Sequence, residues 1–574
     1  MRRLTVIMML FFTLSVYAEN DVESIIRIAG VSSVEEMDPD ELERLEGLLK
    51  TPLNVNSSTM ADLEMSGIFS PFQIVSLMDY RKRHGSVFSF TELSSVDGFS
   101  PDIIAKLKPF ITTGDVSVGS ELYKNKQDLH VRGAYRCDDQ QEYMYGIKYR
   151  IQHESVNFSI SAGKNYNSLQ DFPSSFSGNI SWNHNKGKVL VGDFNARFGQ
   201  GLCLWNSSIN TGLNTPAAFM KKPSGISQTF SFTGSSAMTG MAADYAAGEW
   251  RVSALIAIPD IKTSVSAPGD LRLTPALNLS KYGRFGSFSL THYATIADFA
   301  ADVSAFRIPD MRTSCDASFC LRGVNLFGEL VYDWVSAGFA GTGGVDCRLG
   351  EWLRIASLLK YSPAQAFTNE YLWAVSGEFM AGRWRDNTGH FSIETVYHPE
   401  SKSKDGKKSI QVKLRTDWSC MVTEKLKLSF KFYERLRTWG QKSRTDLRLD
   451  ASYMTGKLDL MLRLNALKCE DLGLLGYIEG LYKEKGLSTS LRMGAFMIDD
   501  WEDRIYVYER DAPGSFNVPA YYGRGMWWAC YMSWKYALWG QICIRASVID
   551  YMFMIQEKRK PGHAELKVQS LFKF

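Results

Sequence analysis

The feature that most constrains this chain is a period of two that begins near residue 120 and continues to the C-terminus. Ile410, Val412, Leu414, Thr416 and Trp418 alternate with Gln411, Lys413, Arg415 and Asp417. Leu426, Leu428, Phe430 and Phe432 do the same, as do Leu458, Leu460, Leu462, Leu464 and Ala466, and then Leu487, Thr489, Leu491, Met493, Ala495 and Met497. Such alternation gives an apolar and a polar face only to an extended chain. The runs are about 9–11 residues long, the length of a tilted strand that crosses a bilayer. Turn-forming residues separate them, as in Lys404-Asp405-Gly406-Lys407, Thr455-Gly456-Lys457 and Glu484-Lys485-Gly486. Continued along the chain, this spacing predicts roughly 20–24 antiparallel strands.

A soluble β-sandwich or propeller would share the local alternation, but three features select a transmembrane barrel. The first is a leader at 1–18, with Arg2 and Arg3 before an apolar stretch from Leu4 to Val16 and a Val16-Tyr17-Ala18 cleavage site. The mature chain is expected to start near Glu19, and no Cys follows the site to carry a lipid. The second is Trp and Tyr near strand ends, where interface girdles sit, with Trp352, Trp384, Trp527, Trp528 and Trp539 as candidates. The third is the end of the chain. Ala564, Leu566, Val568, Ser570, Phe572 and Phe574 share one face, and a terminal aromatic on an alternating strand resembles the signal read by the barrel-assembly machinery of Gram-negative outer membranes. Lipid would meet Leu, Phe, Val and Met while Lys, Arg and Asp face the lumen, and the sheet must close because hydrocarbon cannot satisfy its edges.

Composition narrows the alternatives. Hydrophobic residues make up 45% of the chain, yet mean hydropathy is −0.18, which excludes a polytopic helical membrane protein. An aromatic content of 13% excludes a disordered chain. The nine cysteines are scattered and form no CxxC pair, so neither zinc nor thioredoxin chemistry is signalled. Cys315 and Cys320 are near enough in sequence for a local disulfide, with apolar filling as the simpler role.

The formal net charge of +3 hides a split. Residues 19–115 carry 17 acidic and 8 basic side chains, a net of −9, which leaves +10 on residues 116–574. The acidic part reads as helical. Leu42, Leu45, Leu48 and Leu49 follow the acidic run Glu35–Glu41 at helical spacing, and Ser57 or Ser58 can cap a short helix containing Met60 and Leu63. Ser70-Pro71 supplies an N-cap and a proline at the first helical position, for a helix ending in Arg81-Lys82-Arg83-His84 before Gly85. Ser100-Pro101 repeats the start signal. The expected organisation is a helical lead-in at 19–51, a helical domain at 52–113, a linker at 114–126 and a barrel at 127–574.

Pro52-Leu53-Asn54-Val55-Asn56, Met78-Asp79-Tyr80-Arg81, Phe90-Thr91-Glu92-Leu93 and Asp97-Gly98-Phe99 together resemble a paired helix-hairpin-helix domain of the type found in periplasmic competence DNA receptors. In that family a Gly-apolar-Gly turn lets phosphate approach backbone N–H groups at a helix N-terminus. The resemblance implies Gly67, Ser70, Arg81, Lys82, Arg83, Gly98, Ser100 and Lys106 as candidate DNA-phosphate contacts. The pattern departs from the family: its first two glycines fall on Ile68 and Ser70, the second turn keeps Gly98 and loses the other glycine to Ser100, and each proline removes an N–H. Residues 52–111 hold five basic and six acidic side chains, a poor balance for neutralising phosphates.

Two local runs stand out, Gly192–Leu202 and Trp501–Glu509, the second ending with Pro519–Gly525. Glycines in the first point to a strand bulge, since no phosphate-loop Lys-Ser/Thr accompanies them. With the helical domain, both runs are similar to helix-hairpin-helix-containing outer-membrane proteins of Gram-negative bacteria. That likeness implies an α plus transmembrane β-barrel architecture in the outer membrane, with the helical domain in the periplasm. The eight histidines form no HxH or HExxH set and no GxSxG is present, so no enzyme and no cofactor are expected. The functional expectation is transport or envelope assembly, with the helical domain as a docking module or lumen plug. The alternatives are a DNA-uptake channel and a barrel hydrolase. Expected partners are outer-membrane lipid, the assembly machinery through the strand ending at Phe574, a periplasmic protein, and DNA in the uptake reading.

Overall fold

The computed structural model describes residues 21–551 and 562–574 apart from 32, 38, 115–124, 139–140, 154, 167, 169–172, 185, 207–211, 233–236, 259–271, 284, 298–306, 322, 351, 364–366, 381–386, 400–407, 439–441 and 538. The leader, the turn at 404–407 and Trp384 lie outside the described residues.

Twenty-four antiparallel strands close into one barrel. Closure pairs the last strand, His563–Lys573, with the first, Asn125–Cys137, placing Val568 opposite Gly133. Phe574 continues this ladder, exchanging two backbone hydrogen bonds with Gln127 at 2.9 and 3.0 Å. The alternation read from sequence is the inside–outside division of the wall. On Leu458–Lys468 the side chains of Leu462 and Leu464 are exposed to the outside, while Arg463 and Asn465 between them are buried in the lumen. No helix among the described residues is long and apolar enough to cross a membrane; the strands do so instead.

Two expectations about single residues need correction. Trp527 does not join an outer girdle; it is fully buried on the lumen side, 4.4 Å from the Tyr521 ring, whereas its neighbour Trp528 is exposed. Adjacent residues on a strand must point to opposite faces, so the pair could not both meet lipid. Cys315 and Cys320 are free and lie five residues apart on the single strand Arg307–Leu321. An extended strand puts about 16 Å between them, well beyond disulfide reach.

The two ends of the barrel differ. At one end the strands turn through two or three residues, as at 248–249, 455–457 and 485–486, and this end also holds both termini of the wall. The other end carries the long connections 198–237 and 499–522. Short turns mark the periplasmic side of such barrels and long loops the outer side.

The helical domain has its own core, made by Leu45, Leu63, Leu77, Leu93, Phe99 and Phe110 among others. Helices α1 (Asp21–Ala29) and α2 (Pro39–Lys50) form the lead-in. Helices α3 (Met60–Ser66) and α4 (Pro71–His84) make one hairpin, and α5 (Phe90–Leu93) and α6 (Pro101–Leu107) make another. A short parallel strand pair, Leu53–Asn54 with Ile111–Thr112, ties the two ends of this four-helix unit together. Ser70 caps α4 in a reciprocal box with Gln73, Pro71 sits in the first turn, and Gly85 ends the helix at φ 88°. Ser100 caps α6 by a single bond, accepting from the N–H of Ile103 at 3.5 Å without a reciprocal partner. The cap of α3 is Thr59, which exchanges hydrogen bonds with Asp62, rather than Ser57 or Ser58. Ser58 is occupied by a bond to the carbonyl of Asn54.

Candidate functional site

The barrel wall and the helical domain meet inside the lumen, and the contacts are ionic. Glu43 of α2 accepts from Lys148 of the wall at 2.7 Å, and the Lys148 side chain is wholly buried. Glu36, in the 3₁₀ turn Val34–Glu36, pairs with Arg415 at 2.5 Å. Its neighbour Glu35 reaches Arg463 at 3.3 Å and Arg448 at 3.9 Å, and also accepts from the N–H of Tyr508 at 3.1 Å. Glu23 of α1 pairs with Lys427. Two strands along the wall from Arg415 the sign reverses: Lys106 of α6 pairs with Glu378 at 3.0 Å, and nearby Arg348 donates to the Ser100 hydroxyl at 3.1 Å. Acidic helices thus face an arc of wall bearing Arg415, Lys427, Arg448, Arg463 and Lys148. Glu329, Asp346 and Glu378 lie on the strands Val324–Asp333, Gly338–Leu349 and Glu370–Met380 that lead up to that arc.

Burial alone would raise the pKa of Glu35, but Arg448 and the Tyr508 N–H reverse this and hold it below the ordinary carboxylate value. Glu23 behaves alike: burial pushes up, and Lys427 and Arg27 more than offset it. A cavity of about 120 Å³ remains between this part of the domain and the wall, lined by Glu23, Glu35, Arg448, Arg463, Tyr477, Glu479 and Arg510.

The two runs that stand out in the sequence lead into the long outer connections, the first from the end of the strand Gly187–Arg197, and both connections fold inward onto the helical domain. Inside–outside alternation ends at Gly192, which holds φ 107°, but the pairing with both neighbouring strands shows no register shift there, so the expected bulge is not formed; Asp193, Phe194, Asn195 and Ala196 beyond it are all buried. Asp193 accepts from the N–H of Gly178 at 3.0 Å and from the Thr239 hydroxyl. The loop is then pinned by Glu329, whose carboxylate accepts from the N–H groups of Gln200, Leu202 and Cys203 at 2.7, 3.0 and 3.2 Å. Farther on it meets the helical domain: Thr215 bonds the carbonyl of Gly30, Asn214 bonds Glu36, and Lys222 donates to the carbonyl of Ile68 at 3.1 Å.

The second loop repeats the device. Asp503 accepts from the N–H groups of Cys469, Glu470 and Asp471 at 2.6, 3.1 and 2.8 Å. Glu509 pairs with Arg545 of the wall at 2.5 Å, Asp511 pairs with Lys567, and Gln569 donates to the Pro513 carbonyl at 2.8 Å. Gly514 follows at φ 74°, and a Cβ there would lie 2.7 Å from the Glu43 carboxylate.

A closed antiparallel barrel with an apolar outer face and short turns at one end fits only one cellular location. The protein resides in the bacterial outer membrane. The helical domain touches the lumen face of the wall, so it does not stand clear of the barrel in the periplasm. Glu23, Lys106 and Ser100 meet the short-turn half of the strands that hold their partners, which puts the domain toward the periplasmic end.

The eight candidate phosphate contacts do not share one surface. Ser100 and Lys106 face the wall through Arg348 and Glu378. Ser70 is committed to its capping box, and Arg81 donates to the Ser58 carbonyl at 2.7 Å. Gly67 and Gly98 hold positive φ of 63° and 87°, and a Cβ on them would collide with the Arg44 guanidinium and the Phe72 ring. Lys82 is exposed, and Arg83 is exposed but paired with Asp79 at 2.8 Å. Sequence reasoning passed over Glu23, Glu35, Glu36 and Glu43. The available signal was the −9 charge, much of it in the lead-in helices, set against +10 in the barrel.

No family model matches the chain, and no curated protein sequence matches it. Among solved structures it is similar to the copper transporter OprC, at 9% identity over 78% of this chain and 80% of that one, with a TM-score of 0.42. It is also similar to the siderophore receptor PirA from Pseudomonas aeruginosa, at 10% identity over 79% and 80%, TM-score 0.40. A third is the ferric yersiniabactin uptake receptor FyuA from Yersinia pestis, at 10% identity over 78% and 80%, TM-score 0.37.

Proposed function

We propose that this barrel is a gated outer-membrane transporter whose helical domain acts as a lumen plug. The observation that carries the reading is the set of ion pairs joining Glu23, Glu35, Glu36, Glu43 and Lys106 to inward-facing wall residues. Charge pairs of this kind position a domain and exclude wrong dockings, and they can exchange for other ions or water when the domain moves. The inward loops give the plug a lid from the outer side. On its resemblance, the domain is a helix-hairpin-helix scaffold used for docking, with the second hairpin's Ser100 and Lys106 directed to the wall instead of to a phosphate. Planar-bilayer recording tests this: the intact protein is expected to stay closed, and removal of residues 21–113 to leave a steady open pore. An intact protein that conducts as freely as the deletion variant would end the proposal.

A second reading, DNA uptake, has one observation in its favour. Lys82, Arg83 and His84 are exposed together at the end of α4. It predicts that the full-length protein in uncharged detergent retains duplex DNA at low salt, and that Lys82→Gln with Arg83→Gln weakens retention and flattens its salt dependence. No retention at low salt removes it. A periplasmic protein partner would meet the same end of the domain, where Phe88 is 75% exposed. A barrel hydrolase would need a Ser/His pair that no observation singles out.

A further inference from the structure

One level above the Glu36–Arg415 contact, toward the outer mouth, the wall places cations side by side. Lys413 lies directly across the ladder from Arg435, and Arg435 directly across from Arg444. Arg437 follows two residues along, on the same face, opposite Gln411. These side chains point inward, because the residues between them, Leu436 and Leu447, are among the exposed apolar residues of the outer face. Like charges facing each other across a ladder destabilise it, so a row of them calls for a compensating charge. Lys413 has Glu394 at 2.5 Å, and Arg444 has Asp446 at 3.8 Å. Arg435 has no acidic partner among the described residues, and its Nε is buried with nothing to receive its hydrogen. A buried guanidinium donor left open is costly, and an oxyanion relieves it by accepting from the planar fork.

We propose that Arg435, Arg437 and Arg444 form a binding site for a small, multiply charged anion bearing phosphate or carboxylate groups. Lipid headgroups are excluded as the source, since the site faces the lumen. The inference deepens the transporter reading by naming its solute class, and it rests on that reading only for the claim that the bound anion is cargo. The position is apt for cargo, because the next row toward the periplasm holds Arg415 and its plug partner Glu36.

The test is calorimetric titration of the full-length protein, in uncharged detergent at low salt, with inorganic pyrophosphate. One saturable site is expected, weakened at least about tenfold by Arg435→Gln with Arg444→Gln, in line with the loss of charge-assisted hydrogen bonds. Lys457→Gln, on an exposed turn at the periplasmic end, is expected to leave binding unchanged. Heat-dependent electrophoretic mobility checks that each variant is folded, and Arg437→Gln alone serves if the double variant is not. Absence of saturable binding to the wild type overturns the site, as does undiminished binding to a folded variant. An intact channel that binds pyrophosphate but conducts freely would overturn the plug reading alone. A closed channel that ignores pyrophosphate would overturn the anion site alone.

Discussion

At the residue scale, Glu35 shows how much depends on a single carboxylate. It is mostly buried between Arg448 and Arg463, with side-chain exposure of 13% against 8% for Arg463. Arg448 and Arg463 also share Asp450 of the wall, at 2.9 and 2.7 Å. Glu35→Gln would therefore remove the tie between wall and domain while leaving both guanidinium groups one carboxylate, at a cost of about 2 kcal/mol, and is expected to show as intermittent opening of the intact channel. The pH dependence has a definite sign. Glu23 and Glu35 have native pKa values below the ordinary 4.5, so their contribution to docking is complete above that value. It is lost as pH falls through the lower native values. Acid titration of the intact protein in a bilayer should therefore weaken the Glu23 and Glu35 contacts, and raise the open probability through them, only below pH 4.5, and an opening centred near neutrality would contradict this account. The capping serines and Gly85 were legible in the sequence because a cap depends on its own few neighbours. The partners of Glu35 were not, since Arg448 and Arg463 lie more than 400 positions away.

At the scale of elements, strands and turns were readable because the wall imposes one rule, apolar outward and polar inward, on every strand. The rule also exposes where the chain departs from the wall. Gly192 begins one departure, and the segment before the strand Gly523–Ala537 forms the other. The second loop hangs on Asp503, a fully buried carboxylate serving three N–H groups. Asp503→Ala leaves those donors unsatisfied, costing about 2–4 kcal/mol, and is expected to make 499–522 sensitive to protease added outside intact cells while the barrel stays folded. An unchanged cleavage rate would show that Glu509 and Asp511 hold the loop without it. The last strand makes a separate demand. Deletion of Phe574 removes two closing hydrogen bonds and the terminal aromatic, so the amount of heat-modifiable, membrane-inserted barrel should fall.

For the molecule as a whole, the charge split describes how two modules fit. An acidic lead-in sits against a basic arc, and Lys106 sits against Glu378 two strands from Arg415, so ion pairs of both signs favour one orientation of the domain in the lumen. A charge exchange tests this. Glu36→Arg and Arg415→Glu should each open the channel, while the double variant should close it again, with a coupling of about 1–3 kcal/mol between the two positions. Additive openings in the double variant would mean that Glu36 and Arg415 do not act as a pair. The same split, read from sequence as an argument against DNA binding, has a simpler physical meaning here, since an acidic domain is held by a cationic wall.

The sequence by itself determined the barrel, its membrane-facing side, the helical character of the first hundred residues and the caps that bound most of those helices. All of these follow from periodicities and neighbour interactions spanning about a dozen residues. Only the tertiary structure decided where the helical domain sits, which outer loops fold inward, that Trp527 is interior, and that Arg435 faces the lumen without an acidic partner among the described residues. Those facts depend on which distant strands become neighbours when the sheet closes, and a period of two carries no information about partners on the opposite side of a lumen.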